Sequence, residues 1–308
     1  MLLVRVLGAA AGGGFPQWNA NSEACRRARS GDGAAPAATQ ASIAVSADGR
    51  KWVIVNASPD LRQQIEANPC LQPQDGLRSS PVAAVLLTNS DVDAIAGLLH
   101  LREGTPFALY AAPSVLAILD DNPVFDVVDR RIVPRRSLEP DAWQAVGLAD
   151  GSPSGIEVRC FPVPGKVPLY LEGEGFDPAT PSEAGETVGL EFRSGEARFF
   201  YVANCAAITP ALAGRLEGAP LVFFDGTLFS DDEMIRQQVG TKTGRRMGHM
   251  SLSGPDGSMA GLSGLGIGRV VFIHINNTNP ILLKDSPERA AVEAAGFRVA
   301  HDGMEERL

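Results

Sequence analysis

No apolar run in this 308-residue chain is long enough to cross a bilayer. The opening stretch, MLLVRVLGAAAGGG, has no basic region ahead of an apolar segment of adequate length, so it reads as a first strand rather than a signal peptide. A cytoplasmic protein without membrane insertion is expected. Positive charge is in deficit: a net charge of −9 and a pI near 5.0 argue against nucleic acid as a partner. Cysteine is scarce. Cys25, Cys70, Cys160 and Cys205 stand far apart with no Cys-x-x-Cys pair, a pattern that fits reduced thiols. No Gly-x-Ser-x-Gly elbow and no His-Glu-x-x-His helix is present. The small residues 8–14 open no Gly-x-Gly-x-x-Gly helix, which leaves a dinucleotide fingerprint unsupported.

What is present is a soluble composition, 44% hydrophobic, on a chain able to bury one large core or two modest ones. Strands are predicted at 2–7, 82–87, 107–111, 156–164, 187–192, 199–202, 221–224 and 270–275. Asp48-Gly49 between the alternating runs 40–46 and 51–56 signals a hairpin. Helices are predicted at 60–67, 95–101, 114–120 and 287–295, the last with Ser286 as cap, Pro287 at its first position and Gly296 beyond its end. Residues 23–38, basic and then rich in Gly, Ala and Pro, read as a mobile excursion. No repeat and no linker breaks the chain, so 1–308 is read as a single α/β domain with helices covering the outer faces.

The candidates for chemistry stand at strand ends. After strand 82–87, Asp91 and Asp93 lie two apart, so in an extended segment both carboxylates project to one side and suit a divalent cation. Equally, Asp93 or Ser90 serves only as a helix cap. His274 follows a buried-looking strand and precedes the amide-rich Asn276-Asn277-Thr278-Asn279 turn, a place for a ligand or a base, or for a histidine satisfied by that turn. Asp225, after Phe223-Phe224, reads as a metal ligand or the partner of a buried donor. Asn204 occupies a similar strand end. Arg245 and Arg246, with Lys242 and Thr243, could clamp carboxylates, with an exposed charge run as the plain alternative, and His249 just after them could touch an anionic substrate or orient a loop. His100 and His301 read as a helix-face residue and a solvated one.

Several segments together carry a resemblance: Gly12-Gly13-Gly14-Phe15-Pro16-Gln17-Trp18-Asn19, Asn56-Ala57-Ser58-Pro59-Asp60, residues 98–104, Asp225-Gly226-Thr227, Met247-Gly248-His249 and Ile273-His274-Ile275-Asn276-Asn277-Thr278-Asn279-Pro280. Over residues 4–304 the chain resembles the pyrroloquinoline quinone (PQQ) biosynthesis protein B family, a branch of the metallo-β-lactamase-like superfamily. The resemblance implies a four-layer αβ/βα sandwich with the active site where loops of both sheets meet. It implies Asp93 and His274 as inherited metal ligands, Asp91 as a substitute donor, and Asp225 beside them in catalysis. Arg245, Arg246, His249, Asn204 and Asn277 are then expected to bind substrate.

The family has been described in two ways. One is an Fe(II)-dependent, O2-using hydroxylase acting on the tyrosine ring of a Glu–Tyr-derived PQQ precursor; the other is a soluble carrier that helps PQQ or its precursor toward the periplasm. Other proteins of the PQQ pathway are the implied partners, and a homo-oligomer is left open. The chain departs from the family pattern at Ala94, where a ligand His is expected. It departs again at Asn19-Ala20-Asn21-Ser22-Glu23-Ala24-Cys25, where a structural zinc knuckle is reduced to Cys25, so no zinc is expected there. The wider superfamily's ligand pattern and its frequent His at Lys166 are also missing, which makes metal-dependent hydrolysis the least favoured activity.

Overall fold

Large side chains sort by the period-two alternation of strands, in which successive residues leave opposite faces. In the strand Ala197–Val202, Phe199 and Tyr201 enter one apolar cluster, whereas Phe200 and Val202 enter a second. The neighbouring strands repeat the division, with Phe223 opposed to Phe224 and Val271 opposed to Phe272. A sheet buried on both faces must lie between two other layers. The computed structural model, which describes residues 1–166, 169–171 and 185–308, shows those layers.

Two seven-stranded sheets stack. The first holds β1 (Leu3–Gly8), β2 (Ser42–Ser46), β3 (Trp52–Val55), β4 (Val82–Leu86), β5 (Ala108–Ala111) and β6 (Arg135–Ser137). The second holds β7 (Gln144–Gly147), β8 (Pro153–Pro162), β9 (Val188–Ser194), β10 (Ala197–Val202), β11 (Val222–Asp225), β12 (Val270–Ile273) and β13 (Arg298–Val299). The chain then returns so that β14 (Glu305–Arg307) borders β1 of the first sheet. Each sheet joins an antiparallel half to a parallel half: β3–β4–β5–β6 run parallel in one, and β10–β11–β12–β13 in the other. Leu61, Val115 and Leu119 bring helices onto the first sheet, and Leu212, Leu216 and Val292 bring helices onto the second. The architecture is therefore the expected four-layer α/β sandwich.

The hairpin falls at Asp48-Gly49, where Asp48 accepts the Arg50 and Lys51 N–H groups and Gly49 takes φ +73°. The last helix is Pro287–Ala294, and Ser286 caps it by accepting the Arg289 N–H. Three expectations need correction. Residues 23–38 are built structure: Glu23–Arg29 is a helix with Cys25 buried, and Arg27 bonds both Asp32 and Asp285. The helix expected over 95–101 begins earlier, as Val92–Ile95, and continues in 3-10 form over Ala96–Leu101. Its cap position belongs to Asp91, which makes no side-chain capping bond, so neither Asp93 nor Ser90 is the cap.

Candidate functional site

Parallel strands place their carboxyl ends together, and ligand sites in α/β proteins gather there. β11 and β12 pair with Asp225 opposite Ile273, so the turn Asp225-Gly226-Thr227 lies beside His274. From the other sheet, β4 runs through the buried residues Thr88, Asn89 and Ser90 into Asp91 and the helix that carries Asp93. The glycine loop after β1 docks against the same place: Ala11 N–H donates to the Ile275 carbonyl, and Gly12 lies so near Asp93 that a β-carbon there would stand 3.4 Å from Oδ2.

His274 is 7% exposed and holds φ +61°, a left-handed backbone uncommon for a residue with a β-carbon. Its Nε2 lies 3.0 Å from Asp93 Oδ2, and its Nδ1 lies 2.9 Å from Thr227 Oγ1. The His249 ring stacks at 5.2 Å from the His274 ring. His249 Nδ1 lies 2.6 Å from Asp225 Oδ2. Asp225 is fully buried and fully occupied. Oδ1 accepts from Thr227 N (2.9 Å) and Thr227 Oγ1 (2.6 Å), and Oδ2 accepts from Cys205 N (2.8 Å) besides His249. Four bonds use the lone pairs a carboxylate offers, so Asp225 orients its neighbours.

Electrostatics follow from this packing. Burial pushes against ionisation of Asp93, yet the hydrogen bond and charge of His274 hold its carboxyl below the ordinary range. Burial also pushes the His274 imidazole down, and the Asp93 bond and charge overcome it, so the imidazolium form persists above its ordinary range. At Asp91 burial, helped by the Asp93 charge, pushes the carboxyl up to about 6 and outweighs the charges of Lys166, His249 and His274, which pull it down.

The cavity in front of these groups has a volume of about 610 Å³ and is lined by Asp91, Asp93, Asn204, His249, His274 and Asn277, with Lys166 and Lys242 as its cations. Asn277 bonds Gln17, and Asn89 donates to Asn204 at 3.3 Å. Arg245 and Arg246 line a separate cavity of about 940 Å³ with Asp231 and Asp256, so the expected guanidinium clamp is placed away from the histidines. That cavity is larger but contains neither histidine. His100 and His301 are both exposed and line neither cavity.

Among the described residues, Asp225, His249 and His274 form the cluster whose ligand atoms lie within 4.8 Å of one another. Asp93 adjoins it through His274. A second imidazole therefore reaches the site from the 244–250 loop, although position 94 holds Ala. Sequence reasoning passes over three participants. Thr227 touches both histidines; Lys166 stands out in the sequence only as a missing His; and buried Glu233 ties the Phe229 and Ser230 N–H groups to Thr278. For Thr227 a signal exists: a hydroxyl two residues after an Asp at a strand end.

Residues 51–275 match the beta-lactamase superfamily domain, and the sandwich with His274 at a strand end agrees with that class. A diphosphatase of the PhnP family shares the fold at a TM-score of 0.65 and 20% identity, over 100% of this chain and 98% of that one. The coenzyme PQQ synthesis protein B of Gluconacetobacter diazotrophicus is 57% identical over 99% of both chains. A zinc-bound crystal structure of PqqB from Methylobacterium extorquens superposes with a TM-score of 0.94 at 51% identity, covering 99% of this chain and 100% of that one. The chain belongs to the coenzyme PQQ synthesis protein B family. Among the described residues no helix is long and apolar enough to cross a membrane.

Proposed function

We propose that this protein, acting as one domain in the cytoplasm, is an iron-dependent, O2-using hydroxylase of the tyrosine ring in a Glu–Tyr-derived PQQ precursor. The observation that supports it best is the meeting of Asp93 with His274, beside His249, at the floor of a polar cavity. Two imidazoles and a carboxylate are the donor chemistry of mononuclear non-haem Fe(II) sites. The donor types fit such an ion: Asp93 Oδ2 and His274 Nε2 already meet at 3.0 Å, and His249, stacked on His274, would complete the set that holds it. Asp225 keeps its four bonds and stays outside the ligand set, and Asp91 remains in the cavity wall. Zinc, held by the M. extorquens relative, takes the same nitrogen and oxygen donors. Bound iron would supply the redox chemistry that zinc lacks.

The protein's own groups do the rest. Lys166 and Lys242 supply positive charge for the precursor's carboxylates, and Asn204, Asn277 and Gln17 supply directional hydrogen bonds to its polar edge. Asp91, with its carboxyl near 6, is the wall group suited to take a phenolic proton close to neutral pH. Arg245 and Arg246 are left to a ligand portion that extends into the neighbouring cavity. Cys25, packed in the second apolar cluster, holds no metal in this reading.

Hydroxylation places one oxygen atom of O2 in the ring and releases the other as water, with the two electrons drawn from an added reductant. The test is therefore O2 uptake by Fe(II)-loaded protein given the precursor and a reductant such as ascorbate. Uptake in step with hydroxylated product supports the reading; equal turnover without O2 or with zinc would overturn it. A second reading, a soluble carrier of PQQ or its precursor, draws on Ala94 and on the amide of Asn204 in the cavity wall. Tight binding of PQQ by metal-free protein without turnover would favour it.

A further inference from the structure

We propose that Thr227 is the positioning residue of both site histidines, and that its hydroxyl rather than its bulk governs how well the cavity takes a metal ion. The inference rests on the reading of the cavity as a metal site. Four groups surround the Thr227 oxygen: Asp225 Oδ1 at 2.6 Å, the His274 carbonyl at 3.0 Å, His274 Nδ1 at 2.9 Å and His249 Nδ1 at 3.0 Å. A hydroxyl has one hydrogen to give and two lone pairs to receive with. The carboxylate is the shorter and stronger acceptor and takes the hydrogen. One lone pair receives the Nδ1–H of His274, while the Nδ1–H of His249 points mainly to Asp225 Oδ2 at 2.6 Å and reaches the Thr227 oxygen as the longer branch of a shared bond at 3.0 Å. This leaves Nε2 of each ring as the atom for a cation.

The same residue also holds the backbone on which His274 sits. The Asn276 N–H donates to the Thr227 carbonyl at 3.0 Å, which fastens the chain just beyond the left-handed turn at His274. Asp225 orients only the His249 ring directly, while Asp93 touches His274 on the face that a cation would use. Thr227 is the group shared by both rings on the side away from the ion. It is 3% exposed, at the cavity wall.

The experiment compares wild type with T227V, which keeps the shape, and T227S, which keeps the hydroxyl. Co2+ and Zn2+ are titrated into each, and the histidine ring 15N spectrum is recorded without metal. T227V is expected to weaken ion binding by about 10- to 100-fold, the usual loss for an outer partner of a ligand, and to shift the His274 Nδ1 signal. T227S is expected to keep wild-type affinity and wild-type ring signals. Wild-type affinity and ring signals in folded T227V would overturn the proposal, as would a T227S variant as weak as T227V. Should T227V not fold, T227A takes its place: weakened binding with shifted ring signals supports the proposal, and wild-type values for both overturn it. A wild-type protein that takes up no ion would overturn the metal reading instead, while the metal-free ring spectra would still decide the role of Thr227.

Discussion

Asp93 Oδ2 and His274 Nε2, 181 residues apart and carried by different sheets, meet at 3.0 Å. In the metal-free protein this is an ion pair, with the carboxyl held below 3.8 and the imidazole above 6.5. The Asp93 contribution to stability is present above 3.8 and is lost as pH falls through its folded value. The His274 contribution is present below 6.5 and is lost as pH rises through its folded value. An ion must displace the Nε2 proton. Apparent affinity for Zn2+ or Fe(II) is therefore predicted to rise with pH until His274 has lost that proton, then level off. Calorimetric titration from mildly acidic to mildly alkaline buffer checks this; affinity independent of pH would contradict it.

Asp225 offers the next prediction. Every atom that contacts its oxygens is a donor. In Asp225→Asn the new NH2 must face donors in a fully buried place, which costs about 1–3 kcal/mol per unsatisfied group. Thermal melting should show that loss, and metal affinity should fall with it because His249 loses its holder. A variant that melts and binds like wild type would remove Asp225 from the orienting role.

Glu233 gives a pH signature away from the histidines. Burial outweighs its bonds to Thr278, Ser230 and Phe229 and raises its carboxyl from 4.5 to about 7. The folded state therefore holds more protons than the unfolded state between those values, and stability falls as pH rises through that window. The ceiling is roughly 3 kcal/mol. Glu233→Gln can accept the two backbone N–H groups with its oxygen and donate to Thr278 with its nitrogen. Melting between pH 5 and pH 8 (about one unit outside the window at its upper end) should fall less in the variant than in wild type.

Ala94 is 3% exposed, and its carbonyl accepts the Ala57 N–H at 2.7 Å. An imidazole in this packed place is overpacking, and Ala94→His is predicted to lose about 1–3 kcal/mol of stability. Fe(II) affinity should not fall, since Asp93, His274 and His249 are all retained. Paired melting and anaerobic titration check both halves.

Much of this architecture is legible in the sequence because it is local. Alternation marks β10, β11 and β12, Asp48-Gly49 marks a hairpin, and Ser286-Pro287 marks the last helix. Short edge strands are not legible: β14 is Glu305–Arg307, polar and charged, and is a strand only because β1 pairs with it. At the site, Asp93, His274, Asp91, Asn204 and Asn277 are placed by strand ends and do line one cavity. His249 is expected from the sequence to bind substrate, yet its ring stacks on His274, a contact between loops 25 residues apart that no local pattern encodes. Arg245 and Arg246 look like a clamp because they are adjacent and basic. Their short helix, Gly244–Met247, presents them to the other cavity.

The claim that most needs a direct measurement is that His249 stands in for the imidazole missing at position 94. An anaerobic Fe(II) titration of the chain beside its His249→Ala variant measures it. The account predicts one tightly bound Fe(II) per wild-type chain and binding weakened beyond the roughly 100-fold upper range of an outer partner in the variant. Equal, stoichiometric binding by both proteins would contradict it and would return the third ligand to Asp91 or another wall group.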